Sequence, residues 1–398
     1  MNNARKLALT SLGHFINDGN MAILPYLIFP IISKPPYQVS PIQLGVMYSL
    51  MGLLGALASP LVPITIRALG GAMRSMALGM MLWTTGLATL AASFAAGPYF
   101  LPTIYLSVVL MGISSTFYHP TGAAVLSEAY GGNAGAALGI NGAFGSVGRA
   151  AYPYLASLAI FAGAAIRPSN IWVFAAVSLA VGAAAFAASG GRRGEGGGGQ
   201  GRRGEPMGGK LLALVAILTA ITMMRNAFVQ GTNGFISIYL NQYLNVGLGS
   251  IGATMAVVLS SAIIGQPLLG WLSDRAGRRL MAAITSVGAS LSFIGLVYTK
   301  NLGLAFLFEF FALSNFPVIL SIVGDLFPQN QVGSANSIVW NVGITGGNVI
   351  GPALAGLLST YVGLVSGLEM MAALGLASGV MWVAVPRPPK RRRVPLFM

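Results

Sequence analysis

Cysteine is absent from the 398 residues. That excludes a disulfide framework, a thiolate metal site and a cysteine nucleophile. Histidine occurs only twice, and no nucleophile–base pair or metal-ligand cluster is visible, so the sequence reads as neither an enzyme nor a resident metal or cofactor protein. Charge is the scarcest commodity: 8% of residues, where a soluble domain carries about 25%. So little charge cannot coat a globule of this size, and the remaining surface must face lipid. The chain is 55% apolar, with a mean hydropathy of +0.76. A net charge of +14 would suggest nucleic acid in a soluble protein, but its placement excludes that partner and points to a bilayer.

A helix needs roughly 20 apolar residues to cross a hydrocarbon core. Twelve segments qualify, at about 7–33, 41–66, 72–95, 99–127, 134–164, 168–189, 210–240, 247–272, 280–298, 302–324, 332–361 and 364–385. With the N-terminus inside, seventeen of the 22 Lys and Arg fall on the cytoplasmic side and only Lys34, Arg167 and Lys300 in outer loops. This is the bias that sets membrane topology, so both termini are expected in the cytoplasm of a multi-pass cell-membrane protein. The Gly- and Arg-rich stretch 190–209 reads as a cytoplasmic linker, and 386–398 as a basic cytoplasmic tail.

The linker separates two halves, 1–189 and 210–385, that resemble each other. PIQLGVMYSLMGLLGALASPLVPI (41–64) matches LGSIGATMAVVLSSAIIGQPLLGW (248–271), pairing Gly45 with Gly252 and Pro60 with Pro267. Further along, Pro120 pairs with Pro317, Glu128 with Asp325 and Pro153 with Pro352. The expected fold is all-α: twelve transmembrane helices in two pseudo-symmetric six-helix bundles, with a central site at their interface, as in many transporters.

GWLSDRAGRR (270–279) is similar to the cytoplasmic loop signature of the major facilitator superfamily, G-x-L-x-D-R-x-G-R-R. The resemblance implies a gating latch built on Gly270, Asp274, Arg275, Gly277 and Arg278. Asp274 would accept from backbone amides at a helix end or pair with an arginine. The symmetric loop, PITIRALGGAMR (63–74), carries Arg67 in place of the aspartate, so closure would rest on the C-terminal copy. SLGHFINDGNMAILPYL (11–27) and GISSTFYHPTGAAVLSEAYGG (112–132) resemble the fosmidomycin-resistance-type branch of that superfamily. That implies alternating-access transport of drugs or metabolites, usually against protons.

Ionisable residues within membrane helices are costly and therefore have a function or a partner. Asp18, His119, Arg149, Arg225 and Glu309 each lie roughly 13–24 Å from the cytoplasmic end of their helix, near the midplane. Asp18 is the first candidate for proton coupling, with His119 and Glu309 behind it. Arg149 and Arg225 either attract an anionic substrate or clamp Asp18, and counting back from the paired glycines sets Arg225 opposite Asp18. Asn17, Asn226, Gln230, Tyr118, Phe316 and Trp340 complete the candidate substrate contacts. The function expected is proton-coupled efflux of a small organic molecule by a monomer. Uptake of an organic anion is the alternative, and a transporter-like receptor or lipid-handling protein a distant third.

Overall fold

A computed structural model describes residues 1–163, 165–189 and 207–387; the linker repeat at 190–206 and the tail beyond 387 lie outside the described residues. The described chain is helical throughout. Its helices are α1 (Asn3–Ile32), α2 (Pro41–Ala58), α3 (Leu61–Leu69), α4 (Ala72–Ser93), α5 (Phe100–Tyr130), α6 (Ala134–Ile160) and α7 (Trp172–Ala188). After the linker come α8 (Gly209–Tyr243), α9 (Leu248–Ala276), α10 (Arg278–Thr299), α11 (Leu302–Ser314), α12 (Phe316–Leu326), α13 (Gln329–Val362) and α14 (Leu364–Met381).

Local chemistry sets the boundaries. Asn2 caps α1 by accepting from the Arg5 amide. Ser40 and Gln43 form a capping box ahead of α2, with Pro41 in the first turn, where its missing N–H costs nothing. Gly277 (φ 103°) and Gly363 (φ 87°) supply the left-handed backbone that lets α9 turn into α10 and α13 into α14.

Among the described residues, ten helices are long and apolar enough to cross a membrane. The two remaining expected segments differ for physical reasons. Segment 134–164 forms α6, whose apolar run is diluted by Asn141, Arg149 and glycines. Segment 302–324 is broken at Asn315 into α11 and α12. Pro317 has no N–H to return to the carbonyl of Leu313, so a continuous helix would lose a bond there. Pro120, its repeat partner, is accommodated inside an unbroken 31-residue α5.

In the first half α1 packs on α6, α4 on α5 and α7, and α2 on α5; in the second α8 packs on α13 and α14, α9 on α11, and α10 on α11 and α14. The halves meet along α2–α13 and α6–α9, and where the end of α1 lies against α8. Backbones approach closely at these seams: a Cβ on Gly45 would strike the carbonyl of Pro352, and one on Gly252 the carbonyl of Pro153. Residues 23–32 of α1 are buried throughout, as are 227–229 and 231–241 of α8. Ser237 donates to the Pro25 carbonyl at 2.6 Å across this seam. That end of the molecule is sealed. At the opposite end, where α1 and α8 begin and α5 ends, the facing helix ends are exposed.

Candidate functional site

Between the halves lies a cavity of about 450 Å³. Its first wall is built around Asp18, which is only 2% exposed. Arg149, reaching in from α6, donates to Asp18 Oδ2 at 2.7 Å. Asn17 donates to Oδ1 at 3.1 Å and itself accepts from the Trp83 indole at 2.9 Å, so a buried chain of bonds orients the carboxylate from behind. The two histidines complete the group: His14 Nε2 stands 3.6 Å from Oδ2 and His119 Nε2 3.5 Å from Oδ1. Those distances are electrostatic contacts rather than formed hydrogen bonds.

The His14 tautomer follows from its neighbours. The Tyr118 hydroxyl donates to the Thr10 carbonyl at 2.7 Å and accepts from Asn141 Nδ2 at 2.8 Å. Asn141 Oδ1 is then left to accept from His14 Nδ1 at 3.0 Å. The neutral ring therefore turns a bare Nε2 toward Asp18. Two electron-rich atoms so placed repel unless a proton sits on one of them. The ligating atoms of His14, Asp18 and His119 lie within 4.8 Å of one another, close enough to gather round a metal ion. The Arg149 guanidinium on the same carboxylate opposes a second cation there.

The second wall centres on Arg225, 3% exposed. Its Nη2 donates to the carbonyls of Ala312 (2.6 Å) and Phe311 (3.2 Å), while Gln266 donates to the Leu313 carbonyl at 3.3 Å. These carbonyls stand beside the break at Asn315, so the guanidinium and the amide satisfy a helix end that would otherwise be unpaired. Asn226, Gln230, Asn233 and Asn348 add an amide-rich surface. Gln230 accepts from the Tyr48 hydroxyl at 3.1 Å, a contact between halves.

Not every residue singled out from the sequence faces this cavity. Asp18, His119, Arg149, Arg225, Asn226, Gln230 and Trp340 line it. Asn17 and Tyr118 do not; both are buried behind the wall and position Asp18 and His14. Glu309 is fully buried and also stands off the cavity; Asn233 faces it, and neither carboxylate oxygen completes a hydrogen bond. Phe316 opens α12, but its side chain lies outside the described residues. The choice left open for the arginines resolves unequally: Arg149 pairs with Asp18, whereas Arg225 holds backbone carbonyls. His14 was missed as a site residue, although its spacing one turn before Asp18 puts both on one helix face. Asn141 and Tyr48 carried no local signal at all. The glycines around Arg149 pack against α1: a Cβ on Gly145 would meet the His14 ring, and one on Gly148 the Phe15 carbonyl.

In the loop between α9 and α10, Asp274 takes an arginine, one of the two partners expected for it. Asp274 meets Arg278 at 3.1 Å, but its side chain is 57% exposed, where an ion pair contributes little. Arg278 is held more firmly by Asp325 (2.7 Å, 10% exposed) and by the Ser321 carbonyl at 2.8 Å. Arg279 donates to the Val385 carbonyl at 2.7 Å, and Arg275 lies 3.5 Å over the Trp271 ring. Gly270 and Gly277 have open space around them. In this conformation the motif ties together ends of the second half.

Residues 212–397 match the Major Facilitator Superfamily sequence profile. That match lies in the second half of the chain and covers a little under half of its length. The chain's fold agrees over nearly the whole length: it superposes on the nucleoside transporter NupG with a TM-score of 0.75 at 15% identity, covering 97% of this chain and 99% of that one. Among curated relatives it is similar to the cis,cis-muconate transport protein of Acinetobacter baylyi, 28% identical over 38% of this chain and 37% of that protein. It is also similar to the multi-drug resistance efflux pump PmrA homolog of Lactococcus lactis, 26% identical over 39% of this chain and 40% of that protein. The chain thus spans about two fifths of the length of the curated relatives it matches. It has the fold of a transporter, with ten described helices long and apolar enough to cross a membrane.

Proposed function

We propose that this chain is a major facilitator superfamily member and a secondary active transporter that moves a small organic compound by alternating access, coupled to protons at Asp18. The working parts are two six-helix bundles, 1–189 and 210–385, joined by the cytoplasmic linker 190–209 and followed by the tail 386–398. Twelve segments span the membrane and both termini are cytoplasmic, as the basic residues require. The observation that carries the coupling is the Asp18 group itself: a buried carboxylate on a cavity wall, bound by Arg149 and approached by two imidazole nitrogens. A proton entering this group changes the charge that Arg149 faces. Proton and substrate occupancy thereby become linked. The cavity opens at the Arg-rich end of the helices, so the conformation is the inward-facing one.

Export is the direction favoured by the likeness of helices α1 and α5 to the fosmidomycin-resistance-type branch and by the multidrug efflux relative. Uptake is the second reading, favoured by the muconate transport relative. The chain works as a monomer in the lipid bilayer, with substrate and protons as its small-molecule partners. Reconstituted vesicles test the coupling. Asp18→Asn is expected to abolish accumulation driven by an imposed pH gradient while retaining substrate exchange between equal pH on both sides. Normal gradient-driven accumulation by Asp18→Asn would overturn the role of Asp18.

A further inference from the structure

The cavity holds two guanidinium groups and one carboxylate. Asp18 accounts for Arg149 at 2.7 Å. Among the described residues Arg225 makes no ion pair; its partners are the carbonyls of Phe311 and Ala312, and its Nε is buried with no partner at all. Carbonyl dipoles solvate a guanidinium without neutralising it, and a buried cation without a counter-ion is costly. Glu309 stands only two and three residues before those carbonyls in the chain, yet it is turned toward Asn233 and forms no ion pair with Arg225.

The surroundings of Arg225 are those of a ligand site. Asn226 and Gln230 extend along the same stripe of α8, and the carbonyl oxygens of Asn233 and Asn348 are unpartnered. Val229, Ile319 and Ile344 supply an apolar side to the same cavity. A bound anion would meet a fixed charge with a planar donor fork, and the rest of the ligand would find both amides and apolar surface.

We infer that the substrate is a small organic acid whose oxyanion, carboxylate or phosphonate, docks on Arg225 in the second half of the molecule, across the cavity from the Asp18 group. This rests on the reading of the cavity as a transport site and deepens it to a substrate class. Oxyanion and proton then occupy separate walls, one contributed by each half. The anion takes up the positive charge that the protein leaves uncompensated.

Equilibrium binding to the purified protein in detergent, without any gradient, tests this. A panel of organic carboxylates and phosphonates is compared, compound by compound, with the uncharged amide or ester of each, first by thermal stabilisation and then by calorimetry. Acids are expected to bind and their uncharged twins to bind at least about tenfold more weakly, the scale of one hydrogen bond to a charged group. Arg225→Gln is expected to lose that discrimination and Arg225→Lys to keep part of it, with Gly139→Ala as a control because its added Cβ meets nothing within 4 Å. The inference is overturned if no acid binds better than its twin, or if Arg225→Gln still discriminates as the unaltered protein does. The wild-type comparison alone decides the first point should the variant not fold. Retained acid binding together with transport indifferent to a pH gradient would refute the proton coupling and leave this inference standing. Preference among carboxylates and phosphonates separates the two oxyanion sources.

Discussion

Asp18 and Arg149 are the residues whose energies are most tightly bound together. The carboxylate is 3% exposed as a side chain and the guanidinium 33%, so removing one partner leaves the other poorly compensated. Breaking such a pair costs about 2–3 kcal/mol here, below the fully buried range because a third of Arg149 reaches the cavity. Arg149→Met is therefore expected to destabilise the protein by that amount, and the double variant with Asp18→Asn by less than the sum of the two singles. The coupling should be about 1–3 kcal/mol in a denaturation cycle on the purified protein. Strict additivity would mean that the 2.7 Å contact contributes nothing. Sequence spacing alone brought His14 and Asp18 to one face of α1. The depth of Arg149 suggested only that it was one of several cations that could reach the carboxylate. The Trp83–Asn17 bond behind the site joins residues 66 positions apart and could not be read from either string.

At the scale of elements, glycine separates packing from permissiveness. Gly148 and Gly139 both sit in α6, yet a Cβ on Gly148 would land on the Phe15 backbone of α1 while one on Gly139 meets nothing within 4 Å. Gly148→Ala is expected to destabilise by about 1–3 kcal/mol, the cost of overpacking a closed contact. Gly139→Ala should be neutral or stabilising by up to about 1 kcal/mol, because alanine favours the helix and nothing opposes it. Thermal melts of the two variants distinguish these signs, and equal shifts would refute the tight α1–α6 seam. The string GSVGRAAYP displayed the small residues but not their target. Gly145 and Gly148 face α1, while Pro153 and Ser157 of the same helix meet Gly252 of α9. The break between α11 and α12 shows the same limit: the sequence reads as one span over 302–324, and Pro120, in the place matching Pro317, left α5 unbroken.

For the whole molecule, the seal at one end and the opening at the other make a sided prediction, and the cysteine-free sequence gives it a silent background. Gly142→Cys places a thiol on the cavity wall where nothing crowds it, whereas Ser237→Cys places one in the sealed seam beside Pro25. A membrane-impermeant thiol reagent added from the side of the Arg-rich loops is expected to label the first and spare the second. Faster labelling at position 237, or labelling of 142 only from the opposite side, would contradict an inward-facing resting state. The same design gives the sidedness of the termini, since both positions belong to helices whose ends the charge distribution orients.

Composition and order along the chain were enough to establish that this protein lives in a membrane as a bundle of helices. Hydropathy and helix capping are local properties, and a scarcity of charge leaves no other solvent for the surface. The internal repeat and the GWLSDRAGRR loop were likewise written in order along the chain. What only the tertiary structure decided is which buried charges meet. Arg149 took Asp18, Arg225 took the carbonyls of a broken helix, and Arg278 took Asp325 in preference to the exposed Asp274 of its own motif. Those outcomes depend on the rotation of each helix about its axis and the distance between helices. Both are fixed by steric contacts such as Gly148 on Phe15 and Gly45 on Pro352, between residues far apart in the chain.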